Sequence, residues 1–131
     1  MYLYDASVII DLIKKGKISA FHKGATLDLA VYEVLNAIWK ECYLFKKIKP
    51  EALHQLVDVL SGVFNVLDIY TVRGLEREVL NLALDERITV YDASYVLIAI
   101  KKSLVLATDD KKLADIASKY VKTTTSAEIA T

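Results

Sequence analysis

Four acidic residues lie next to apolar segments, at positions where an α/β protein usually gathers its functional groups. Asp5 ends a first short apolar run, and Glu33 follows a second one. Asp92 opens a strongly apolar segment, and Asp110 follows the short apolar run after that segment. In an open parallel sheet, functional groups lie beyond the carboxyl ends of the strands. We therefore expect the four carboxylates to share one edge of a sheet.

Carboxylates brought together in this way predict a metal site. They repel each other and cannot all remain ionised in a dry site without a cation. A set of oxygen ligands without His or Cys suits Mg²⁺ or Mn²⁺. His22 and His54 are predicted on helices away from this edge, so zinc is not expected. Mg²⁺ bound by a few carboxylates usually acts on phosphates, and the predicted chemistry is hydrolysis of a phosphodiester bond.

Each acid also has an ordinary structural role open to it. Asp92 could be a helix N-cap, a role that Ser or Asn fills equally well. Glu33 could be a first-turn acid that complements the helix dipole. Asp109 and Asp110 form an acidic pair before a helix, where one of them would cap it. Asp5 is the hardest to explain in this way, because aspartate is depleted in strands.

Short apolar runs alternate with amphipathic segments, and this alternation predicts a parallel sheet covered on both faces by helices. Strands are predicted at 2–4, 27–31, 64–69 and 104–107, with a short fifth strand at 120–122 and a loose C-terminal tail. The predicted helices cover residues 7–15, 18–23, 32–45, 51–60 (ended by Gly62), 72–83 (capped by Thr71), 92–102 and 111–119.

The most apolar helix is predicted to form the centre of the fold. Residues 95–100 are apolar on every side, and a helix without a polar stripe belongs in the interior. It ends at Lys101 and Lys102, which suit the negative end of the helix dipole. The apolar run that follows is too short for a helix and is expected to be a buried parallel strand.

Composition limits the possible functions. The 131 residues suffice for one domain with a sizeable core, and no apolar run approaches the ~18 residues of a membrane span. The formal net charge of +0 argues neither for nor against nucleic acid. A single cysteine, Cys42, excludes an internal disulfide and fits a cytoplasmic protein. The apolar fraction of 54% is high, and we expect the excess to serve a protein interface, such as that of a homodimer.

The segments around the acids resemble the PIN-domain ribonucleases, and especially the VapC toxins of VapBC toxin–antitoxin pairs. Their order and spacing match over essentially the whole chain. The resemblance implies a single PIN-like α/β domain over residues 1–131, with a central parallel sheet of four to five strands. The matching pieces are Tyr4-Asp5-Ala6-Ser7, Tyr32-Glu33-Val34-Leu35-Asn36-Ala37, Tyr91-Asp92-Ala93-Ser94-Tyr95 and Thr108-Asp109-Asp110.

The same resemblance assigns roles to individual residues. It implies an Mg²⁺- or Mn²⁺-dependent endoribonuclease, usually dimeric, whose VapB-like antitoxin wraps the domain and obstructs the acidic pocket. It favours Asp110 over Asp109, because the family pattern is Thr, any residue, then Asp. From the residues alone, Ser7 is expected to cap a helix, and Thr108 either caps or orients. The implied catalytic and metal-binding residues are Asp5, Glu33, Asp92 and Asp110, and the supporting residues are Ser7, Asn36 and Thr108.

Four lysines near the predicted edge could bind RNA phosphates as point charges. For any one of them, a place on a solvated helix face is the simpler interpretation. They are Lys14, Lys15, Lys111 and Lys112.

Other classes of protein fit parts of the chain. A phosphoacceptor receiver domain would use Asp68 after the third strand, Thr108 after the fourth and Lys122 in the fifth. It would also need paired acids after the first strand, where only Asp5 stands. A haloacid-dehalogenase phosphatase would need a second Asp where Ser7 stands. A PIN-like scaffold that only binds partners is a third alternative, and the complete set of four acids argues against it.

Overall fold

The structure, a computed structural model, describes residues 1–22 and 24–131 and contains one five-stranded parallel sheet. The order of the strands across the sheet is β3-β2-β1-β4-β5. This confirms the predicted α/β fold with a central parallel sheet. The strands are β1 (Tyr2–Tyr4), β2 (Ala25–Leu27), β3 (Asp68–Tyr70), β4 (Val105–Ala107) and β5 (Thr123–Thr124).

Helices connect the strands. A 3₁₀ turn (Ile18–Phe21) replaces the predicted helix over 18–23, whose last residue, Lys23, lies outside the described residues. A π-helical turn (Lys40–Leu44) follows the second helix. In the described part of the chain, no helix is both long and apolar enough to span a bilayer. The α-helices are α1 (Ala6–Lys14), α2 (Asp28–Trp39), α3 (Pro50–Val66), α4 (Glu76–Glu86), α5 (Val90–Lys102), α6 (Lys111–Ala117) and α7 (Ser126–Ala130).

The centre of the sheet is buried on both faces. Ala25, Thr26 and Leu27 are all at most 1% exposed. Successive side chains of a strand point to opposite faces, so helices must cover both sides of β2, as the sequence predicts. The hydroxyl of Thr26 donates to the carbonyl of Tyr4 at 2.6 Å, which satisfies this polar group inside the core.

Helix α5 is the buried central helix that the sequence predicts. Seven consecutive residues, 93–99, are buried. The helix ends at Lys102, and its C-cap residue, Ser103, adopts a left-handed conformation with φ 55°. Its N-cap is Thr89, whose hydroxyl accepts the N–H of Asp92 at 3.2 Å. The interpretation of Asp92 as the N-cap is therefore wrong, and its carboxylate lies in the first turn.

The second strand lies earlier in the chain than predicted. The predicted strand over 27–31 is wrong, because Asp28 is already the first residue of α2. Its carboxylate accepts the N–H of Leu29 at 2.9 Å, and a negative charge at a helix N-terminus is stabilising.

Helix α3 is longer than the predicted segment 51–60. It continues through Gly62 to Val66, so the predicted strand over 64–69 is also wrong, and β3 begins only at Asp68. Burial of Leu60 and Val63 in the core explains the continuation. Their packing outweighs the roughly 1 kcal/mol that glycine costs in a helix.

The C-terminal elements also differ from the predictions. The fifth strand is at Thr123–Thr124 instead of 120–122, and the predicted loose tail is helix α7. Thr125 caps this helix, and its hydroxyl accepts the N–H of Glu128 at 3.2 Å. The polar residues of this segment suggested a loose tail, but one of them, Thr125, is the cap of a short helix.

Helix α4 begins at Glu76, later than predicted, and Thr71 does not cap it. Instead, the hydroxyl of Thr71 accepts the N–H of Arg73 in the preceding turn, at 3.3 Å.

Strand polarity excludes the receiver-domain interpretation. Asp68 is the first residue of β3 and pairs with Ala25, the first residue of β2. It therefore lies at the amino edge of the parallel sheet. Thr108 follows β4 and lies at the opposite, carboxyl edge. A phosphoacceptor and its partner threonine would have to share one edge.

We predict that Gly24→Ala destabilises the fold by about 1–3 kcal/mol, the usual cost of overpacking. A Cβ at residue 24 would lie 2.2 Å from Cε2 of Tyr4. That ring is fully buried, and its hydroxyl donates to the carbonyl of Ala20, so it cannot move aside easily. Urea unfolding would measure the loss.

Gly62→Ala is the matched control, because no atom lies within 4 Å of a Cβ added there. Since Gly62 is inside α3, alanine should stabilise the protein by roughly 0.5–1 kcal/mol. Equal stability changes in the two variants would contradict the steric explanation.

Candidate active site

The predicted acidic residues line one pocket at the carboxyl edge of the sheet. Its volume is about 180 Å³. Asp5 and Thr108 directly follow the adjacent strands β1 and β4, whose last residues pair with each other. Of the three other acids, Glu33 comes from α2, Asp92 from α5, and Asp110 from the residue that precedes α6. The polar residues that line the pocket are Asp5, Ser7, Glu33, Asp92, Tyr95 and Asp110.

Asp5 is the most buried acid of the pocket, with 6% exposure. It caps α1, and its Oδ1 accepts the N–H of Val8 at 3.0 Å and the hydroxyl of Ser7 at 2.6 Å. The predicted capping role of Ser7 is therefore wrong, since Ser7 supports the residue that caps. Burial raises the pKa of Asp5, while hydrogen bonds from Ser7, Thr108 and Val8 act in the opposite direction.

Glu33 is held by a tyrosine that was not predicted as a site residue. The hydroxyl of Tyr95, on α5, donates to Oε1 of Glu33 at 2.7 Å. Burial raises the pKa of Glu33, the Tyr95 bond lowers it, and the charges of Asp5 and Asp92 raise it again. Burial, followed by the contact with Glu33, raises the pKa of Tyr95, so this tyrosine remains a donor.

The third and fourth acids also lie near each other. Burial raises the pKa of Asp92, the negative charge of Asp110 adds to the effect, and Lys112 opposes it. Asp110 caps α6, and its Oδ1 accepts the N–H of Leu113 at 3.2 Å. This confirms that one member of the acidic pair caps the helix.

The acids thus form a series of neighbours, in which each carboxylate affects the next. Asp5 and Asp92 both raise the pKa of Glu33, and Asp110 raises that of Asp92. Within the described residues, 1–22 and 24–131, no group of three His, Cys, Asp or Glu side chains is arranged so that it could hold one metal ion.

The predicted supporting residues differ in their positions. Ser7 lines the pocket, and Thr108 is buried behind it in contact with Asp5. Asn36 does not line this pocket. It lies in an adjacent groove of about 260 Å³, which shares only Glu33 with the acidic pocket and is otherwise lined by Leu29, Tyr32 and Tyr91.

The four lysines are not equivalent. Lys14 pairs with Glu41, and Lys15 pairs with Asp11 at 2.8 Å, so a phosphate would compete with a carboxylate for each. Lys112 affects the pKa of Asp92 and is therefore close to the pocket. Lys111 is exposed at the start of α6.

Comparison with known proteins found relatives over most of the chain. No protein-family model matches the chain. Exonuclease VapC9 of Pyrobaculum aerophilum is 39% identical over 114 residues, which are 86% of this chain and 82% of the relative. Ribonuclease VapC3 of the same organism is 38% identical over 90 residues, 69% of this chain and 68% of the relative.

A solved structure has a similar fold. The crystal structure of PAE2754 from Pyrobaculum aerophilum superposes with a TM-score of 0.74 at 31% sequence identity. The similarity covers 93% of this chain and 82% of that one.

We predict that, without metal, the protein loses stability relative to Asp5→Asn as the pH rises. The raised pKa of Asp5 means that the folded state binds this proton more tightly than the unfolded chain. This contribution is fully present below the ordinary carboxyl pKa of about 4 and is lost as the pH rises through the folded-state pKa. Urea unfolding in chelator, from about pH 4 to pH 8, would measure the difference.

Asp58→Asn is the control for the loss of one negative charge, since Asp58 is an exposed carboxylate on α3. Asparagine caps helices as well as aspartate does, so the Asp5 variant keeps the cap of α1. A pH dependence equally large in Asp58→Asn would show that overall charge, and not burial of Asp5, causes it.

Proposed function

Since the chain belongs to the VapC family of PIN-domain nucleases, we propose that it is a toxin that hydrolyses RNA phosphodiester bonds with Mg²⁺ or Mn²⁺. One observation carries the proposal: Asp5, Glu33, Asp92 and Asp110 line the same pocket. They come from separate parts of the chain: Asp5 caps α1, Glu33 lies in α2, Asp92 lies in α5 and Asp110 caps α6. We expect the protein to act in the cytoplasm, as its single cysteine suggests.

The pocket residues fit a hard divalent cation. Their donor atoms are oxygens, the ligands that Mg²⁺ and Mn²⁺ prefer. The pKa values of Asp5, Glu33 and Asp92 are raised by burial, with neighbouring carboxylates adding to the effect. Asp5, Glu33, Asp92 and Asp110 would hold the ion after their side chains turn toward one point, since within the described residues no three of them are arranged in this way. When bound, it supplies Lewis acidity toward the phosphate and offsets the negative charge.

Hydrogen bonds hold two of the carboxylates at the pocket. Tyr95 donates to one oxygen of Glu33, and Ser7 and Val8 donate to one oxygen of Asp5. These contacts restrain Glu33 and Asp5 at the pocket, while the remaining carboxylate oxygens are free to turn toward an ion. Lys112, whose positive charge acts on Asp92, would attract an RNA phosphate toward the acids.

We predict that Asp5→Asn and Asp92→Asn each lose RNA cleavage by at least about a hundredfold, because loss of a supporting residue around a metal already costs 10–100-fold. Mg²⁺ at about 10 mM, the order that a weak site needs, should stabilise the parent by about 1–3 kcal/mol through mass action. The variants should gain much less. Cleavage of single-stranded RNA and melting with and without metal would measure both effects.

Asp28→Asn is the matched control, since Asp28 is an exposed acid in the first turn of α2 and does not line the acidic pocket. It should keep both activity and the metal-dependent shift. Intact RNA cleavage in Asp5→Asn would refute the mechanism. Metal-independent melting and no cleavage in the parent would favour the scaffold without catalysis.

We propose that cleavage is internal, which makes the protein an endoribonuclease. One relative is named an exonuclease and the other a ribonuclease, so the two modes must be separated experimentally. A circular RNA has no ends, and we expect the protein to open it at a rate similar to that for the linear form. Degradation of the linear RNA alone would assign exonuclease activity, with the same metal site.

We also propose a VapB-like antitoxin partner and a homodimer. Exposed apolar residues follow one face of α2 and the turn after it, at the spacing of neighbours on a helix. Trp39 and Tyr43 stack there, with ring centroids 5.3 Å apart. This apolar stripe supplies area for such contacts. Its members are Tyr32, Leu35, Trp39 and Tyr43.

The antitoxin is expected to place Arg or Lys among the acids, in addition to a helix on an apolar surface. Cleavage that continues at saturating antitoxin, with binding confirmed, would contradict this mode of inhibition. A stable homodimer would bury on the order of 1,200–2,000 Å² in total. Light scattering that gives a monomer at high micromolar concentration would contradict the dimer.

A further inference from the structure

The C-terminal helix is bound to the turn that follows β4. The N–H of Ser126 donates to Oδ1 of Asp109 at 2.8 Å. Its Oγ lies 2.6 Å from Oδ2 of Asp109 and 2.6 Å from Oδ2 of Asp11, on α1. A hydroxyl has one proton and donates to one acceptor at a time, so the N–H is the permanent donor to Asp109. We call Ser126, Asp109 and Asp11 the C-terminal clamp.

The backbone of the same turn supports both hydroxyls that bind Asp5. The N–H of Asp109 donates to Oγ of Ser7 at 3.2 Å, and Ser7 donates to Asp5. The N–H of Asp110 donates to Oγ1 of Thr108 at 3.1 Å, and Thr108 is the second hydroxyl in contact with Asp5. The clamp is thus connected to the acidic pocket through the backbone of residues 108–110, by hydrogen bonds through Ser7 and by a second contact through Thr108.

We infer that Ser126 is a positioning residue, whose hydroxyl orients Asp5 and Asp110 by joining the turn over residues 108–110 to α1 through Asp109 and Asp11. This also gives Asp109 a role distinct from that of its neighbour. Asp109 does not line the acidic pocket. Its Oδ1 accepts the N–H of Ser126, and its Oδ2 shares the Ser126 hydroxyl with Asp11. The inference rests on the proposed function only for the statement that Asp5 and Asp110 bind metal.

The clamp has the physical properties that such a role requires. Its contacts to a carboxylate are charge-assisted, and bonds of this kind are the stronger ones. Ser126 itself is 4% exposed, while its acceptors are more accessible to water, since Asp109 is exposed and Asp11 is half-buried. Functional groups must lie within about 0.5 Å of their productive positions. The turn over residues 108–110 is restrained at the Asp109 side chain and at the N–H groups of Asp109 and Asp110, which favours such precision.

The test compares Ser126→Ala, which removes the hydroxyl between Asp109 and Asp11 and keeps the N–H bond to Asp109, with two control variants. Ser118→Ala removes a hydroxyl that donates to the carbonyl of Asp115 on the surface. Thr125→Ala weakens α7 by removing its cap but leaves the clamp residues in place. Together, the controls separate loss of the clamp from loss of a serine and from loss of helix stability.

The first measurement is amide hydrogen exchange by NMR, in chelator and on the full chain. We expect the N–H groups of Asp109, Asp110 and Val8 to exchange roughly three- to tenfold faster in Ser126→Ala, the effect of losing one hydrogen bond. Exchange at Val63, inside α3, should not change. This measurement requires neither metal nor RNA, so it tests the clamp even if the proposed function is wrong.

The second measurement is Mn²⁺ affinity by electron paramagnetic resonance, together with steady-state cleavage of single-stranded RNA. We expect Ser126→Ala to bind Mn²⁺ roughly tenfold more weakly and to lose kcat by a similar factor, as for other residues that support metal ligands. The KM for RNA should remain unchanged, because no group expected to contact RNA is altered. Both controls should resemble the parent.

The outcomes separate the two hypotheses. Unchanged exchange at the three amides in Ser126→Ala would overturn the clamp, even in a fully active parent. Equally faster exchange in Thr125→Ala would also overturn it, since loss of α7 stability alone would then explain the effect. A parent that neither binds Mn²⁺ nor cleaves RNA would refute the proposed function, while faster exchange in Ser126→Ala would still support the clamp.

Discussion

The register between β1 and β4 is the constraint on which the site depends. Tyr4 pairs with Ala107, and the N–H of Asp5 donates to the carbonyl of Ala107 at 3.0 Å. Because the two strands are parallel and end together, Asp5 and Thr108 leave the sheet side by side. A slip of one residue would turn every side chain of β1 to the other face. Asp5 would then lose its hydroxyl partners, and Tyr4 would lose its place in the core.

Burial of acids at this edge is unfavourable for the fold, and local donors offset part of the cost. Burial raises the pKa values of Asp5, Glu33 and Asp92. The hydroxyls of Ser7 and Tyr95 act against this effect. A fold optimised for stability alone would not place carboxylates in this position. Their presence, in a member of the VapC family, is what a cation-dependent nuclease would require.

Errors in the predicted elements occurred where packing or a cap outweighed local preference. Gly62 does not end α3, because Leu60 and Val63 on either side of it are buried. Asp28 belongs to a helix and not a strand, because it satisfies an N–H in the first turn. Such positions are decided by differences of about 1 kcal/mol, which distant contacts easily exceed. The types of the long elements were predicted correctly because their apolar periodicity extends over many residues.

The sequence by itself determined the α/β fold, the buried central helix and the four acids next to apolar runs. These properties depend on local composition, and parallel strands bring their carboxyl ends to one edge without further information. Only the tertiary structure decided that Tyr95 binds Glu33, 62 residues away, and that Ser126 contacts Asp11, 115 residues away. It also placed Asn36 outside the acidic pocket. Side-chain partners of this kind depend on how the helices pack against the sheet, and no pattern within a single segment encodes that packing.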